Sequence, residues 1–575
     1  MKRSPIFVIM LLVYASCTNN PGEEGPKRNT FCNPVDISYR FALDTPSRRE
    51  AADPTVVRYK DQYLLFASKS SGYWHSSDLA EWKFIKTSQI PTEEYAPTAV
   101  VMGDTIYFLA SSTEKSTIYK SSDPLAGEWT IAVEELELPV WDPAFFMDDD
   151  NRLFLYWGCS NVNPIYGVEV DYRNNFAFLG EPRELIRSNR GENGWEVPGD
   201  YNTLTNNNPW IEGAWMTKKD GRYYLQYSGP GTEFKSYADG VYISDNPLGP
   251  FNLQSHNPFA GKPEGFAAGA GHGSSFSDKY GNFWHIGTIT ISQKHVFERR
   301  LGLYPAFCDD DGTFYSITKY GDWPLIIPSR KIKGFEDIFP GWMLLSYGKK
   351  VDVSSSVDSL PPSGMTDEEI RTYWAAETGS DQEFAVMDLG SSCLVYAIQV
   401  NFAEHNTEIY GRTQNPGHRY TVWHSDDGTN WDMLIDNSDN ITDNTHIYKQ
   451  LDSPVNARYL RINNIEVPGG HFAISGFRVF GKGSGPLPGQ VSDFNVVRNQ
   501  VDRRSVNLTW EKATDATGYN VSYGTDREKL YHNHIVYNDT ALTINSLSTR
   551  QAYWFTIESF NENGITVSGK TIKVE

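Results

Sequence analysis

Between residues 50 and 315 the apolar positions fall in short alternating or continuous runs, and no stretch repeats them at the spacing of a long amphipathic helix. Gln62-Tyr63-Leu64-Leu65-Phe66-Ala67-Ser68, Thr105-Ile106-Tyr107-Phe108-Leu109 and Arg152-Leu153-Phe154-Leu155-Tyr156-Trp157 are typical, short and dominated by aromatic and aliphatic side chains as strands are. Lys60-Asp61, Gly103-Asp104, Asp150-Asn151, Asp220-Gly221 and Tyr280-Gly281-Asn282 mark turns, each before an aromatic strand. They belong to a loose repeat of five copies, opening on Ala52-Asp53-Pro54, Tyr95-Ala96-Pro97, Trp141-Asp142-Pro143, Ile211-Glu212-Gly213-Ala214 and Gly271-His272-Gly273-Ser274. Ser76-Ser77-Asp78, Ser121-Ser122-Asp123 and Ser244-Asp245-Asn246-Pro247 recur where an outer strand would turn. Repeats of four short strands are how propeller blades read, because each blade buries its faces only against its neighbours. The pattern predicts a five-bladed β-propeller over residues 31–345. Its innermost strands line the axis, so the residues just before them are expected to converge on one mouth.

After about residue 345 the pattern changes. Residues 350–482 contain Phe384-Ala385-Val386-Met387-Asp388-Leu389-Gly390, then Tyr420-Thr421-Val422-Trp423-His424-Ser425 with Asp427-Gly428-Thr429-Asn430-Trp431, then Ala457-Arg458-Tyr459-Leu460-Arg461-Ile462. This series resembles a discoidin-like (F5/8 type C) β-jelly-roll. Gly483-Ser484-Gly485-Pro486-Leu487-Pro488-Gly489 is a linker. Beyond it, in 490–575, Val506-Asn507-Leu508-Thr509-Trp510, Gly518-Tyr519-Asn520-Val521-Ser522-Tyr523 and Tyr553-Trp554-Phe555-Thr556-Ile557 resemble an immunoglobulin-like fibronectin type III sandwich. An all-β chain of three domains is expected, since 575 residues exceed what one hydrophobic core holds.

The start of the chain bears on where the protein works. Lys2 and Arg3, the apolar run Ile6 to Val13 and Tyr14-Ala15-Ser16-Cys17 read as an export signal over residues 1–17, too short to span a membrane. The small residues before Cys17 resemble a bacterial lipobox, with Tyr14 a departure from its pattern. Cys17 is therefore the expected lipidation site, and residues 18–30 form a polar tether. The expected location is the outer membrane of a bacterium after secretion across the inner one, with the membrane touched only through the lipid anchor. A net charge of −21 argues against nucleic acid as a partner, whereas neutral glycans are indifferent to it. The 16 Trp and 33 Tyr suit a sugar-handling surface, since the C–H face of a sugar packs on a ring, although an all-β fold alone also raises aromatic content. Cys32, Cys159, Cys308 and Cys393 lie far apart without metal-ligand spacing and read as free thiols, one incidental bridge remaining open.

Three of the five openings carry an acid, Asp53, Asp142 and Glu212, each at what reads as the same position of its repeat. Singly, an Asp-Pro is most often a turn; in register, the three point into one funnel. Glycoside hydrolysis needs a carboxylic acid to protonate the leaving oxygen and a carboxylate to activate water or attack the sugar. A third acid nearby raises the proton affinity of the first. Ala52-Asp53-Pro54, Trp141-Asp142-Pro143 and Glu212-Gly213-Ala214 resemble, in kind and order, the motifs of glycoside hydrolase family 43, the similarity covering about residues 31–325.

The resemblance implies that Asp53 is the general base and Glu212 the general acid, that Asp142 keeps Glu212 protonated and oriented, and that the reaction inverts the anomeric centre. It also implies that His272 lies near the axis, holding a hydrated cation such as calcium or ordering water, and that Arg300 contacts substrate. A core histidine and a salt-bridged arginine are the competing roles. The chemistry requires no cofactor. Trp74, Trp141, Trp210 and Trp215 flank the motifs as sugar platform or as core. Trp374, His418 and Arg419 are candidate glycan contacts of the discoidin-like region, against a plain packing role for it. The expected activity is exo-acting hydrolysis of a plant-type glycan, releasing α-L-arabinofuranose or β-D-xylose, with β-D-galactose a lesser option. The alternative is a non-catalytic surface lipoprotein whose propeller binds glycan. The intact trio of acids favours the enzyme, and no obligate protein partner is evident. A sucrose- or fructan-type enzyme is disfavoured, because the Asn-Asp-Pro-Asn opening is absent.

Overall fold

The computed structural model describes residues 30–412 and 417–575. The leader, and with it the lipidation expected at Cys17, lies outside the described residues.

The first part of the chain forms five antiparallel sheets. Blade 1 joins Thr55–Tyr59, Gln62–Phe66, Gly72–Ser76 and Lys83–Lys86 in chain order, and blades 2 to 5 begin with Thr98–Met102, Ala144–Met147, Glu212–Lys219 and Gly271–Ser277. Burial explains their composition. The second strand of blade 3, Leu153–Trp157, is covered on both faces by its neighbours and is apolar or aromatic throughout, while the outermost strand of blade 1, Lys83–Lys86, carries lysine at both exposed ends. The inner strands neighbour one another in chain order and Gly271–Ser277 returns to Thr55–Tyr59, so the ring is closed. Aromatic and aliphatic clusters fill the wedges between blades: Phe66, Tyr73, Phe108 and Trp129 between the first two, Leu65, Trp74, Trp284 and Leu303 between the last and the first.

Residues 343–482 form an eight-stranded sheet system. Its two longest strands, Phe384–Phe402 and His446–Glu466, shift register at Asp388/Cys393 and Val395/Ala397 and enclose a core that includes Met387, Val400, Leu460 and Phe477. Residues 495–574 make a three-stranded and a five-stranded sheet over a core with Trp510, Tyr519, Val521 and Phe555.

The three parts share buried contacts. Arg49 lies between Glu404 and Asp443, Arg478 donates to Asp322 O (2.6 Å), and Tyr315 stacks on Tyr531 with ring centroids 3.5 Å apart. Cys32, Tyr320, Trp323, Phe480, Ile535 and Phe560 form a small core where all three meet. Among the described residues the four cysteines are free and no helix is long and apolar enough to cross a membrane.

Candidate active site

Each inner strand is entered through a residue with left-handed backbone: Asp53 (φ 52°), Ala96 (46°), Asp142 (50°), Gly213 (61°) and His272 (42°). A hydroxyl of the preceding blade pins most of these turns. Ala96 N–H donates to Ser68 Oγ (2.8 Å), Asp142 N–H to Ser111 Oγ (2.8 Å), His272 N–H to Ser228 Oγ (2.7 Å) and Asp53 N–H to Thr288 Oγ1 (3.0 Å). Between blades 3 and 4 the equivalent residue is Gly158, which has no hydroxyl, and the seam is instead held by two backbone bonds between Ser160 and Ile211 (3.1 and 3.0 Å).

The equivalence corrects one expectation. Glu212 does not share the position of the two aspartates; Gly213 does. Glu212 lies one residue earlier, opposite Ser228, ahead of a register shift that ends at Trp215. Gly213 is glycine for a steric reason as well as its φ, since a Cβ there would stand 2.6 Å from Ser228 Oγ and 2.8 Å from the His272 ring. In blade 5 the position of the aspartates belongs to His272.

The side chains meet on the axis. His272 Nδ1 is 3.4 Å from Asp53 Oδ1 and 3.7 Å from Asp142 Oδ2. Asp142, Cys159 and Glu212 bring an oxygen, a sulfur and an oxygen within 4.8 Å of one another. Asp53 and Glu212 therefore stand at opposite ends of a chain of contacts, with His272 and Asp142 between them. Asp53 accepts from Ser68 Oγ (2.5 Å) and from Arg299 Nη1 (3.0 Å). Glu212 accepts from the Tyr237 hydroxyl on one oxygen and from Cys159 Sγ (3.1 Å) on the other. Asp142 Oδ1 accepts from Ser111 Oγ (3.2 Å), while its buried Oδ2 has no hydrogen-bond donor among the described residues.

These surroundings separate the two aspartates electrically. Burial alone would raise the Asp53 pKa, but Arg299, His272 and the Ser68 hydroxyl outweigh it and hold the carboxyl below its ordinary value. Asp142 is pushed up to about 7, by burial first and then by Glu212 and Asp53, against the pull of His272. Burial works against charge on His272 too, yet Asp53, Asp142, Glu212 and Asp239 raise its pKa and favour the imidazolium. Beneath the site Asp239, pushed up to about 7 by burial, accepts from Ser228 Oγ (2.5 Å) and Gly273 N–H (3.1 Å) and so braces the His272 turn.

His272 Nδ1 thus occupies the place between the two aspartates, and the acids around it favour its charged form.

Of the other expected site residues, Trp141 and Trp210 are on the surface, 45% and 43% exposed. Trp74 and Trp215 are corrected. Trp74 is fully buried in the wedge between blades 5 and 1, its Nε1 donating to Ser38 Oγ (3.2 Å), and Trp215 packs between blades with Nε1 on Ser275 O (2.9 Å). Arg300 is also corrected: it turns away from the axis, donating to His446 Nε2 (2.9 Å) and to Arg49 O (2.6 Å). Its neighbour Arg299 takes the site, because successive residues of a strand face opposite sides; it bonds Asp53 and Glu50, beside Tyr95 and Phe297. In the discoidin-like region Trp374 is core and His418 is buried flat against Phe402, so neither reaches solvent to meet a glycan; Arg419 pairs with Glu466.

Arg299, Tyr237 and Cys159 were missing from the sequence-based set. Cys159 alone had a signal: it follows directly on Gly158, which takes the place of Ser68 and Ser111 at the end of the second strand of blade 3, so the thiol had to lie near the mouth.

Residues 47–314 match the profile of glycosyl hydrolases family 43, and residues 350–475 that of the F5/8 type C domain. A beta-D-galactofuranosidase of Aspergillus niger is 26% identical over 261 residues, 39% of this chain and 70% of its own length. A beta-xylosidase of Xylanibacter ruminicola is 26% identical over 159 residues, 23% of this chain and 42% of its own length. A solved xylan beta-1,4-xylosidase from Bacillus halodurans C-125 aligns over 94% of this chain and 96% of its own with 15% identity and a TM-score of 0.41. The family-43 match spans the five blades and encloses Asp53, Asp142 and Glu212, so the propeller resembles the glycosidase domains of that family, and the F5/8 type C match follows it in the same chain.

Proposed function

We propose that the protein is an inverting, exo-acting glycoside hydrolase that removes α-L-arabinofuranose or β-D-xylose, and less readily β-D-galactose, from plant-type polysaccharides or oligosaccharides. The observation that carries this is the buried line from Asp53 through His272 and Asp142 to Glu212, which sets two carboxyl groups apart in unlike surroundings. Asp53, kept ionised by Arg299, accepts a proton from a water as that water's oxygen bonds the anomeric carbon. Glu212 gives its proton to the departing oxygen as the glycosidic bond breaks, and the proton that Asp142 takes up near neutrality lies within reach of Glu212. Afterwards Asp53 loses its proton to solvent and Glu212 regains one. Inversion requires the Asp53 and Glu212 carboxyls to stand roughly 6.5–9.5 Å apart, with the water between them. The relatives' own activities, on galactofuranose and on xylose, keep both sugar ring sizes in play.

A panel of aryl glycosides and of arabinan, xylan and galactan oligosaccharides, with wild type, Asp53→Asn and Glu212→Gln, tests this. Cleavage by wild type, collapse in both variants and, by proton NMR, a first product of opposite anomeric configuration are expected. Retention would remove the base role of Asp53, and no cleavage of any substrate would turn the propeller into a lectin. For the rest of the chain, the leader supports anchoring through Cys17 at the outer membrane, which the mass of the mature N-terminus tests. The C-terminal pair of sheets supports a fibronectin type III-like spacer.

A further inference from the structure

Two of the three acids at the blade openings accept from a serine hydroxyl that ends a second strand: Ser68 Oγ donates to Asp53 (2.5 Å) and Ser111 Oγ to Asp142 (3.2 Å). The third is served by a thiol. Gly158 stands where the serines stand, and Cys159, one residue on, donates from Sγ to Glu212 Oε2 (3.1 Å). An oxygen of Asp142 also lies within 4.8 Å of that sulfur, so the thiol stands beside both acids. Burial first, then Asp142 and Glu212, hold the Cys159 pKa far above its ordinary value. The sulfur therefore stays a neutral thiol, with one hydrogen to give and lone pairs to take another.

Both oxygens of Glu212 accept, Oε1 from the Tyr237 hydroxyl and Oε2 from the thiol, which is the pattern of an ionised carboxylate. A carboxylic acid has its own hydrogen to place, so one of the two donors must turn away before Glu212 can hold a proton. Tyr237 is fully buried, and its hydroxyl is spent on Glu212. The thiol has a second acid beside it: Asp142 Oδ1 is taken by Ser111, but the buried Oδ2 has no donor among the described residues. A thiol is also the weaker donor, so its hydrogen turns at less cost than a hydroxyl's. We infer that Cys159 is a positioning residue that relays a proton from Asp142 to Glu212. The Asp142 O–H proton passes to Sγ as the S–H proton passes to Glu212 Oε2. Asp142 ends as a carboxylate, Glu212 as a carboxylic acid and the sulfur again as a neutral thiol, so no charge is left on it. Within the bound complex this carries to the departing oxygen a proton that Asp142 keeps up to about pH 7. The relay rests on Glu212 being the acid.

The test compares wild type with Cys159→Val, which fills the place of the thiol and has no hydrogen to pass on, and with Cys159→Ser, which has one. The substrates are a disaccharide of the released sugar and the corresponding glycosyl fluoride, whose leaving group departs without a proton. Cys159→Val is expected to lower kcat for the disaccharide about tenfold with the fluoride changed less than about twofold, and Cys159→Ser to stay within about threefold of wild type on both. Equal losses on both substrates in Cys159→Val, no loss on the disaccharide while wild type cleaves it, or a serine variant as slow as the valine one, overturn the relay. The fluoride arm reports folding of the variants. Failure of the underlying reading looks different: wild type then cleaves neither substrate, or Glu212→Gln still cleaves the disaccharide.

Discussion

Two buried clusters of charge in this molecule are built from the same residue types and differ in balance. Where the propeller meets the discoidin-like domain, Arg49 lies between Glu404 and Asp443, and Arg478 grips Glu368 through two bonds. Although burial opposes it, Arg49 and His418 hold the Glu404 carboxyl well below the usual range. On the propeller axis Asp53, Asp142, Glu212 and Asp239 face His272 and Arg299, which is shared with Glu50, and His285, whose pKa burial lowers to about 4. There two carboxyls, Asp142 and Asp239, are pushed up to about 7. Matched charges fix geometry; a surplus of acid keeps a proton available near neutral pH.

The largest effect that would sharpen this contrast is on turnover. Asp53→Asn and Glu212→Gln should each lower kcat on a disaccharide by about 10²–10⁴-fold with little change in unfolding midpoint; a modest loss would mean that the surplus acids are not the reacting ones. At the matched cluster the order reverses. Arg478→Met leaves Glu368 buried without its partner and should cost about 3–5 kcal/mol of stability in denaturant unfolding, with kcat per folded molecule unchanged. A loss below about 1 kcal/mol would break the comparison from that side.

A smaller effect concerns pH. A carboxyl whose pKa rises on folding from 3.8 to about 7 binds its proton more tightly in the native state, so stability falls as pH climbs through that interval. Asp142→Asn removes this cost. The variant should gain about 1–2 kcal/mol over wild type near pH 8 and nothing near pH 4, while losing activity. A gain independent of pH would point to packing instead. The smallest effect is at Cys159, where a hydroxyl donates a stronger hydrogen bond than a thiol. Cys159→Ser should move the basic limb of the pH–rate profile to lower pH by less than about one unit, and Cys159→Ala should move it the other way.

The blade pattern was legible because strand period, turn residues and repeat length all agree, and the left-handed turns explain why the openings read as Asp-Pro or Gly-rich motifs. Legibility ended at register. The shift between Glu212 and Trp215 moves the acid by one residue relative to the aspartates, and no residue type announces it. Arg299 and Arg300 are adjacent, and only the register of their strand against Phe283–Thr290 decides which one faces the axis. Among the tryptophans, those inside strands, Trp74 and Trp215, became packing, and those outside strands, Trp141 and Trp210, stayed at the surface. The match of Cys159 with an acid depends on a contact across a seam, which sequence spacing does not encode.

Among the described residues no strand is exchanged between the first and last blades, each of which is built from one continuous stretch of chain. What spans that joint includes Asp53 with Thr288 and Arg299, and Arg300 with Arg49. The discoidin-like domain holds both sides of it, Arg49 through Glu404 and Arg300 through His446. It is the clasp of a bracelet: a chain cut short after the last blade is expected to part first at the joint that carries the proton acceptor, and so to fall silent as an enzyme while its blades are still intact.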